Sequence, residues 1–223
     1  AHPPSLFRRT LKGVIDLRGF RGWAELTDQP FLRLLRQGQV SSHAFTRWLV
    51  QEQYLYEAML GLQTSLLRRA PQLHRLIKAN ALLVTVEELD WLAHLELPKA
   101  PVHPSRQDYL DFLRALEQAP YAVGTVANWA RHKAFFDAWR SLRPRDSEED
   151  LGGLPDEITQ HWMAPEAQAL IHDFGSLALE VSEQLSPTEV NQIVGRVLEL
   201  EQSAWEMALE FTLDDKTGEE RGS

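Results

Sequence analysis

The chain has no cysteine in 223 residues. That excludes a disulfide framework, a thiolate zinc site, an iron–sulfur cluster and any thiol nucleophile. Basic residues are also scarce: 23 Lys and Arg stand against 32 Asp and Glu, a net charge of −9. An acidic chain without a basic stripe repels phosphate backbones, so nucleic acid is not an expected partner. Apolar stretches such as Ala81–Val84 fall far short of the roughly 20 residues that a membrane span needs. The start, Ala1-His2-Pro3-Pro4, lacks the basic-then-apolar order of a secretory signal. The expectation is a soluble cytoplasmic protein with no membrane partner. Also missing are Gly-x-Ser-x-Gly, the P-loop and Gly-x-Gly-x-x-Gly, and with them the commonest serine-hydrolase and nucleotide signatures.

No stretch alternates apolar and polar residues with β-branched enrichment, so a sheet is not expected. Helical spacing dominates instead. Phe45, Trp48, Leu49, Tyr56, Met59, Leu60 and Leu66 mark one face of a helix from Ser42 to Arg69, with Ser42 as cap and Pro71 beyond its end. Ser186-Pro187-Thr188-Glu189 is a capping box that opens a second long helix, whose buried face runs from Val190 to Ala208. Further helices are expected at Val84–Leu95, Ser105–Glu117, Tyr121–Leu142, Asp156–Trp162 and Ala164–Gln184. The turn Pro98–Pro104 and the acidic loop Ser147–Pro155 are too short to be domain linkers. The polar end, Asp214–Ser223, is expected to fray. The reading is one all-α domain over residues 1–223, in which the Glu52 helix packs against the Glu201 helix.

Two carboxylates break the apolar stripes. Glu52 falls one turn from both Trp48 and Tyr56, and Glu201 lies between Val194, Val197 and Leu198 on one side and Trp205 and Ala208 on the other. Each is aimed at the core, where a carboxylate needs a partner, a proton or a wet cavity. A pair of structural glutamates bonded to a tyrosine or an arginine is one outcome; a central polar pocket is the other. On the Tyr121–Leu142 helix, Asn128, His132, Phe135 and Trp139 share a face flanked by Trp129 and Phe136. Polar groups in an aromatic wall suit a flat heteroaromatic ligand, although a satisfied core histidine fits the spacing too. Tyr109 reads most simply as a core tyrosine whose hydroxyl finds a partner. Glu87 and His94 stand seven apart on one helix, but the histidines and carboxylates do not assemble the multi-helix set of a di-iron bundle. No metal or other cofactor is expected.

The segment Pro30-Phe31-Leu32-Arg33-Leu34-Leu35-Arg36-Gln37-Gly38-Gln39-Val40, followed by Phe45, Trp48-Leu49-Val50-Gln51-Glu52 and Tyr54, resembles the TenA family of thiaminase II and thiamin-salvage hydrolases. Near the other end, Glu201-Gln202-Ser203-Ala204-Trp205-Glu206-Met207-Ala208 is similar to that family's Glu-x-x-Phe-Trp-Glu-Met-Ala. The resemblance implies a haem-oxygenase-like helical bundle, usually without haem, assembled as a homodimer or homotetramer. It also implies an aminopyrimidine ligand and hydrolysis of a C–N bond in a thiamin breakdown product. Glu201 would then be the catalytic acid, and Glu52 would hold the ring. Trp48, Tyr56, Tyr109, Asn128, His132 and Trp129 would be the ligand-binding residues.

The pattern departs from the family at its chemistry. Glu52 replaces an aspartate and Leu55 a tyrosine. Ala127 is the nearest counterpart of the thiaminase cysteine. His132 and Phe135 stand where a cysteine-free branch of the family carries glutamate and tyrosine. A non-catalytic ligand-binding or interaction protein of the same fold is the alternative, and an oxidase like those of quinone-cofactor biosynthesis is a third reading.

Overall fold

The computed structural model describes residues 17–142 and 153–222, with the side chains of 153 and 154 left aside. The chain's first residues and most of the Ser147–Pro155 loop lie outside the described residues. Among the described residues there is no strand. The helices are α1 (Trp23–Leu26), α2 (Pro30–Arg36), α3 (Ser42–Arg69), α4 (Arg75–His94), α5 (Pro104–Leu116), α6 (Tyr121–Leu142), α7 (Gly153–Trp162), α8 (Pro165–Val181) and α9 (Pro187–Arg221). Short 3₁₀ turns at Gln72–His74 and Ser182–Gln184 precede α4 and follow α8.

Local signals set the ends of these helices. The cap of α3 is Ser41, one residue before the expected one: its hydroxyl accepts the Ala44 amide at 3.0 Å. The α9 box closes in both directions, Glu189 N to Ser186 Oγ at 3.1 Å and Ser186 N to Glu189 Oε2 at 2.6 Å. Prolines occupy the first turns of α2, α5, α8 and α9, where the missing amide hydrogen costs nothing. Gly38 takes φ 67° just after α2, a left-handed turn that a side chain would strain.

Three expectations shift. Helix α4 begins at Arg75 rather than Val84. The expected start overlooked a turn whose outer face is itself apolar, which blurs the helical period. Helices α1 and α2 are too short to show a period at all. The polar end does not fray at Asp214, because α9 runs on to Arg221 and Asp215 accepts from the Ser41 hydroxyl at 2.5 Å.

Helix α3 is the axis, packed on α4, α5, α6 and α9, while α6 also packs on α8 and α9. At the centre, the Trp48 ring lies 5.6 Å from those of Phe45 and Trp205, and 5.8 Å from those of Trp139 and Trp162. Such tilted and stacked contacts add to the large apolar area that each ring buries. Phe20, Phe31 and Trp162 all fold into this core, and Trp23 packs partly buried against it, with its indole donating to Asp137 at 3.0 Å. These four aromatic side chains are taken up by the chain's own core and form no exposed patch.

Gln51 and Tyr54 of α3 fix the proline turn before α5. Gln51 donates to the Pro101 carbonyl and accepts the His103 amide, both at 3.0 Å, and the Tyr54 hydroxyl donates to the Ala100 carbonyl at 2.5 Å. That turn sets the register in which α5 brings Arg106 and Tyr109 against α3 and α9.

Candidate functional site

Glu52 and Glu201 meet in the centre of the bundle, each 1% exposed. Two arginines that the stripe reading passed over meet them there. Arg106 of α5 donates through Nη2 to Glu52 Oε1 at 2.7 Å. Arg131 of α6 donates through Nη1 to Glu201 Oε1 at 2.8 Å, and its Nη2 lies 3.6 Å from Glu52 Oε2. Tyr109 completes the group by donating its hydroxyl to Glu201 Oε1 at 2.6 Å. Two negative and two positive charges thus neutralise one another inside a wall of Trp48, Leu55, Phe135, Ala204 and Trp205. The Arg131 guanidinium also lies 4.1 Å from the centre of the Phe135 ring.

Burial raises the Glu201 pKa; Arg131 and Tyr109 oppose that rise in part. The Arg131 pKa is raised as well: against its own burial, Glu201, Tyr109 and Glu52 hold the guanidinium charged above its ordinary value. Burial and the adjacent Glu201 push the Tyr109 phenol well up, so it remains a donor. The cluster fills its own space and admits no water-sized sphere. It is an ion-pair network in which every charge already has a partner.

A second site lies beside it, between α3, α4, α6, α7 and α8. Here a cavity of about 70 Å³ is lined by Tyr56, Thr85, Glu88 and His132 among Phe135, Phe136, Trp162 and Leu170. Phe135 is common to both sites. Burial, with Glu88 next, pushes the Tyr56 phenol well above its ordinary value. Glu88 accepts from His161 at 2.7 Å and from the Trp162 indole at 3.1 Å, and His161 stacks on Trp91 with ring centres 3.8 Å apart. His132 bonds through Nδ1 to the Asn128 carbonyl at 2.8 Å. Burial lowers its pKa to about 4, so the ring is neutral.

The sequence-predicted residues therefore divide. Glu52, Glu201, Tyr109 and Trp48 belong to the ion-pair cluster, whereas Tyr56 and His132 line the cavity. Asn128 lines neither; its side chain accepts from Gln63 Nε2 at 2.6 Å. Trp129 is buried in the core and belongs to neither lining. Glu87 is exposed, and His94 turns back on Asp90 of its own helix. Among the described residues no three metal-ligating side chains converge, and no helix is long and apolar enough to cross a membrane. The arginines were open to the same reasoning that found the glutamates: Arg106 is three before Tyr109, and Arg131 is four before Phe135. Glu88 gave no such signal, since one acidic residue beside another reads as a solvated face.

This arrangement, one long axial helix wrapped by others, is similar to that of solved TenA homologues. No family model and no curated protein matches the sequence. Among solved structures, a TenA homologue from Pyrococcus furiosus is similar with a TM-score of 0.76 and 18% identity, over 84% of this chain and 94% of that one. A TenA homologue from P. horikoshii gives 0.71 and 16%, covering 86% and 94%. A TenA family transcription regulator from Silicibacter sp. gives 0.73 and 14%, covering 85% and 92%. At these identities the likeness shows the fold alone, an all-helical bundle like that of TenA homologues; function has to be argued from the site.

Proposed function

We propose that the protein binds a small flat heteroaromatic ligand, of the aminopyrimidine class, in the cavity between Tyr56, Glu88 and His132. One observation carries the reading: the cavity joins an aromatic lining to a few polar groups of different kinds. Such a lining gives a ring stacking area, while Glu88 accepts from a ring amino group and Tyr56 and neutral His132 orient the ring nitrogens. The ion-pair cluster then serves as the rigid polar wall behind Phe135. A thermal-shift titration with an aminopyrimidine and its formylamino derivative tests this. A rise in Tm without released product is the expected result, and no shift with either compound overturns it.

Catalysis is the second reading, favoured by one observation: burial raises the Glu201 pKa above the usual carboxylate value, the direction a general acid requires. Against it, Glu201 already accepts from Arg131 and Tyr109 and does not line the cavity. Turnover of formylaminopyrimidine that vanishes in Glu201→Gln would select this reading over binding alone.

We also propose a homodimer or homotetramer assembled through the outer face of α4. Leu76 is 82% exposed, and Leu83 and Val86 follow it on the same face at 55% and 47%. A contiguous apolar stripe of this kind commonly marks an interface, and closed two-fold symmetry is its usual solution.

A further inference from the structure

The polar part of the ligand cavity is one-sided. Its lining carries the polar side chains of Tyr56, Thr85, Glu88, His132 and Trp162. Two of these have already spent their hydrogen. The Trp162 indole donates to Glu88 Oε2 at 3.1 Å. The Thr85 hydroxyl donates to the Ala81 carbonyl one turn back at 2.8 Å, which leaves its oxygen only lone pairs to offer. His132 Nδ1 lies 2.8 Å from the Asn128 carbonyl, which can only accept. The hydrogen of the neutral ring is therefore on Nδ1, and Nε2 carries a lone pair. Glu88 has a donor on each oxygen, His161 on Oε1 and Trp162 on Oε2, the setting of an ionised carboxylate, which accepts only.

The lining thus offers three acceptors, Glu88, His132 and Thr85, against one side-chain donor, the Tyr56 hydroxyl, which burial keeps protonated. A ligand that brings few hydrogens leaves those acceptors unmet, and an anion also sets like charge against Glu88. The protein's own cations nearby are engaged elsewhere. Arg131 is held by Glu201 and Glu52, and Lys133 by Asp137. The buried Lys78 faces the Phe174 ring at 5.8 Å, and that ring stands between it and His132. His161, the partner of Glu88, is 32% exposed, so water screens whatever charge it carries. Tyr56, Phe136 and Trp162 add ring faces, which attract positive charge.

Resting on the reading of that cavity as a ligand site, we propose that its ligand is bound as a cation, an amino-heterocycle protonated on a ring nitrogen. Its ring N–H and amino N–H hydrogens go to Glu88, His132 and Thr85, and Tyr56 donates to an acceptor elsewhere on the ligand. A ligand that is neutral in solution takes its proton from the solvent as it binds.

Isothermal titration of the full chain with 2-aminopyridine and 2-aminopyrimidine tests this. The two rings match in size, but the first takes up a proton near neutral pH and the second stays neutral. At about pH 6, 2-aminopyridine is expected to bind about ten-fold or more tightly, as for a charge-assisted pair in a site closed to water. At about pH 8, where it is largely neutral in solution, its binding should take up close to one proton more than that of 2-aminopyrimidine. That count is read from the dependence of the heat on buffer ionisation enthalpy and needs no variant. In Glu88→Gln the preference at pH 6 should fall to within about two-fold. Equal wild-type affinities at pH 6, no excess proton uptake at pH 8, or a preference that survives Glu88→Gln overturns the cation assignment. In each case continued binding of 2-aminopyrimidine leaves the heteroaromatic site standing. Binding of neither compound overturns both.

Discussion

Arg131 Nη1 donates to Glu201 Oε1 at 2.8 Å, with both side chains nearly fully buried. Breaking such a pair from one side strands a charge in the core, at a cost of about 3–5 kcal/mol. Arg131→Met and Glu201→Gln should each destabilise the fold by about that amount in urea unfolding. The double variant should cost clearly less than the sum of the two, because neither charge is then left alone. Additive losses would show that the two groups do not depend on each other.

Trp48 contacts five aromatic rings, on elements from α2 to α9. Trp48→Ala should lower stability by about 3–5 kcal/mol, as for other large core truncations. The near-ultraviolet circular dichroism should collapse with it, and a loss under 1 kcal/mol would contradict this packing.

Lys78 gives stability a definite pH dependence. Its folded pKa is about 7, against 10.5 for an unperturbed lysine. Between those values the unfolded chain holds the extra proton, so stability should rise with pH across that window. Below about pH 7 both states are charged and the full burial penalty is present. Lys78→Met should flatten the alkaline rise and be more stable than wild type at pH 6.5. A parallel pair of stability–pH curves would refute the assignment.

His132 acts at the acid side. Its pKa falls from 6.5 to about 4 on folding. The unfolded chain therefore gains a proton first, and stability should be lost as pH falls from about 6.5 to about 4. His132→Gln should remove that part of the acid limb, read by thermal unfolding across the same range.

The long helices, the capping box and both buried glutamates were legible because one strong signal governs each: a sustained period, a cap with its reciprocal glutamate, a charge inside an apolar stripe. The partners of those charges were harder to see. Arg106 and Arg131 reach Glu52 and Glu201 from other helices, and no spacing within one helix reports such a meeting. Lys78 was missed for a related reason: the early turns of α4 are apolar on the outside at Leu76, so the stripe that would have marked Lys78 as buried was inverted.

The outer face of α4 carries its own test. Light scattering at micromolar concentration should give a multiple of the 25.5 kDa chain mass. Leu76→Glu with Leu83→Glu should return the single-chain mass without loss of helical content. A wild-type monomer would rule out this assembly.

The central claim is that the carboxylates are occupied by arginines and that the ligand lies in the cavity beside them. A crystal structure of the chain soaked with an aminopyrimidine tests it most directly. The expected result is a ring between Tyr56, Glu88 and His132, with the Arg131–Glu201 bond still closed. A ring lodged between Glu52 and Glu201, with Arg131 swung away, would contradict it.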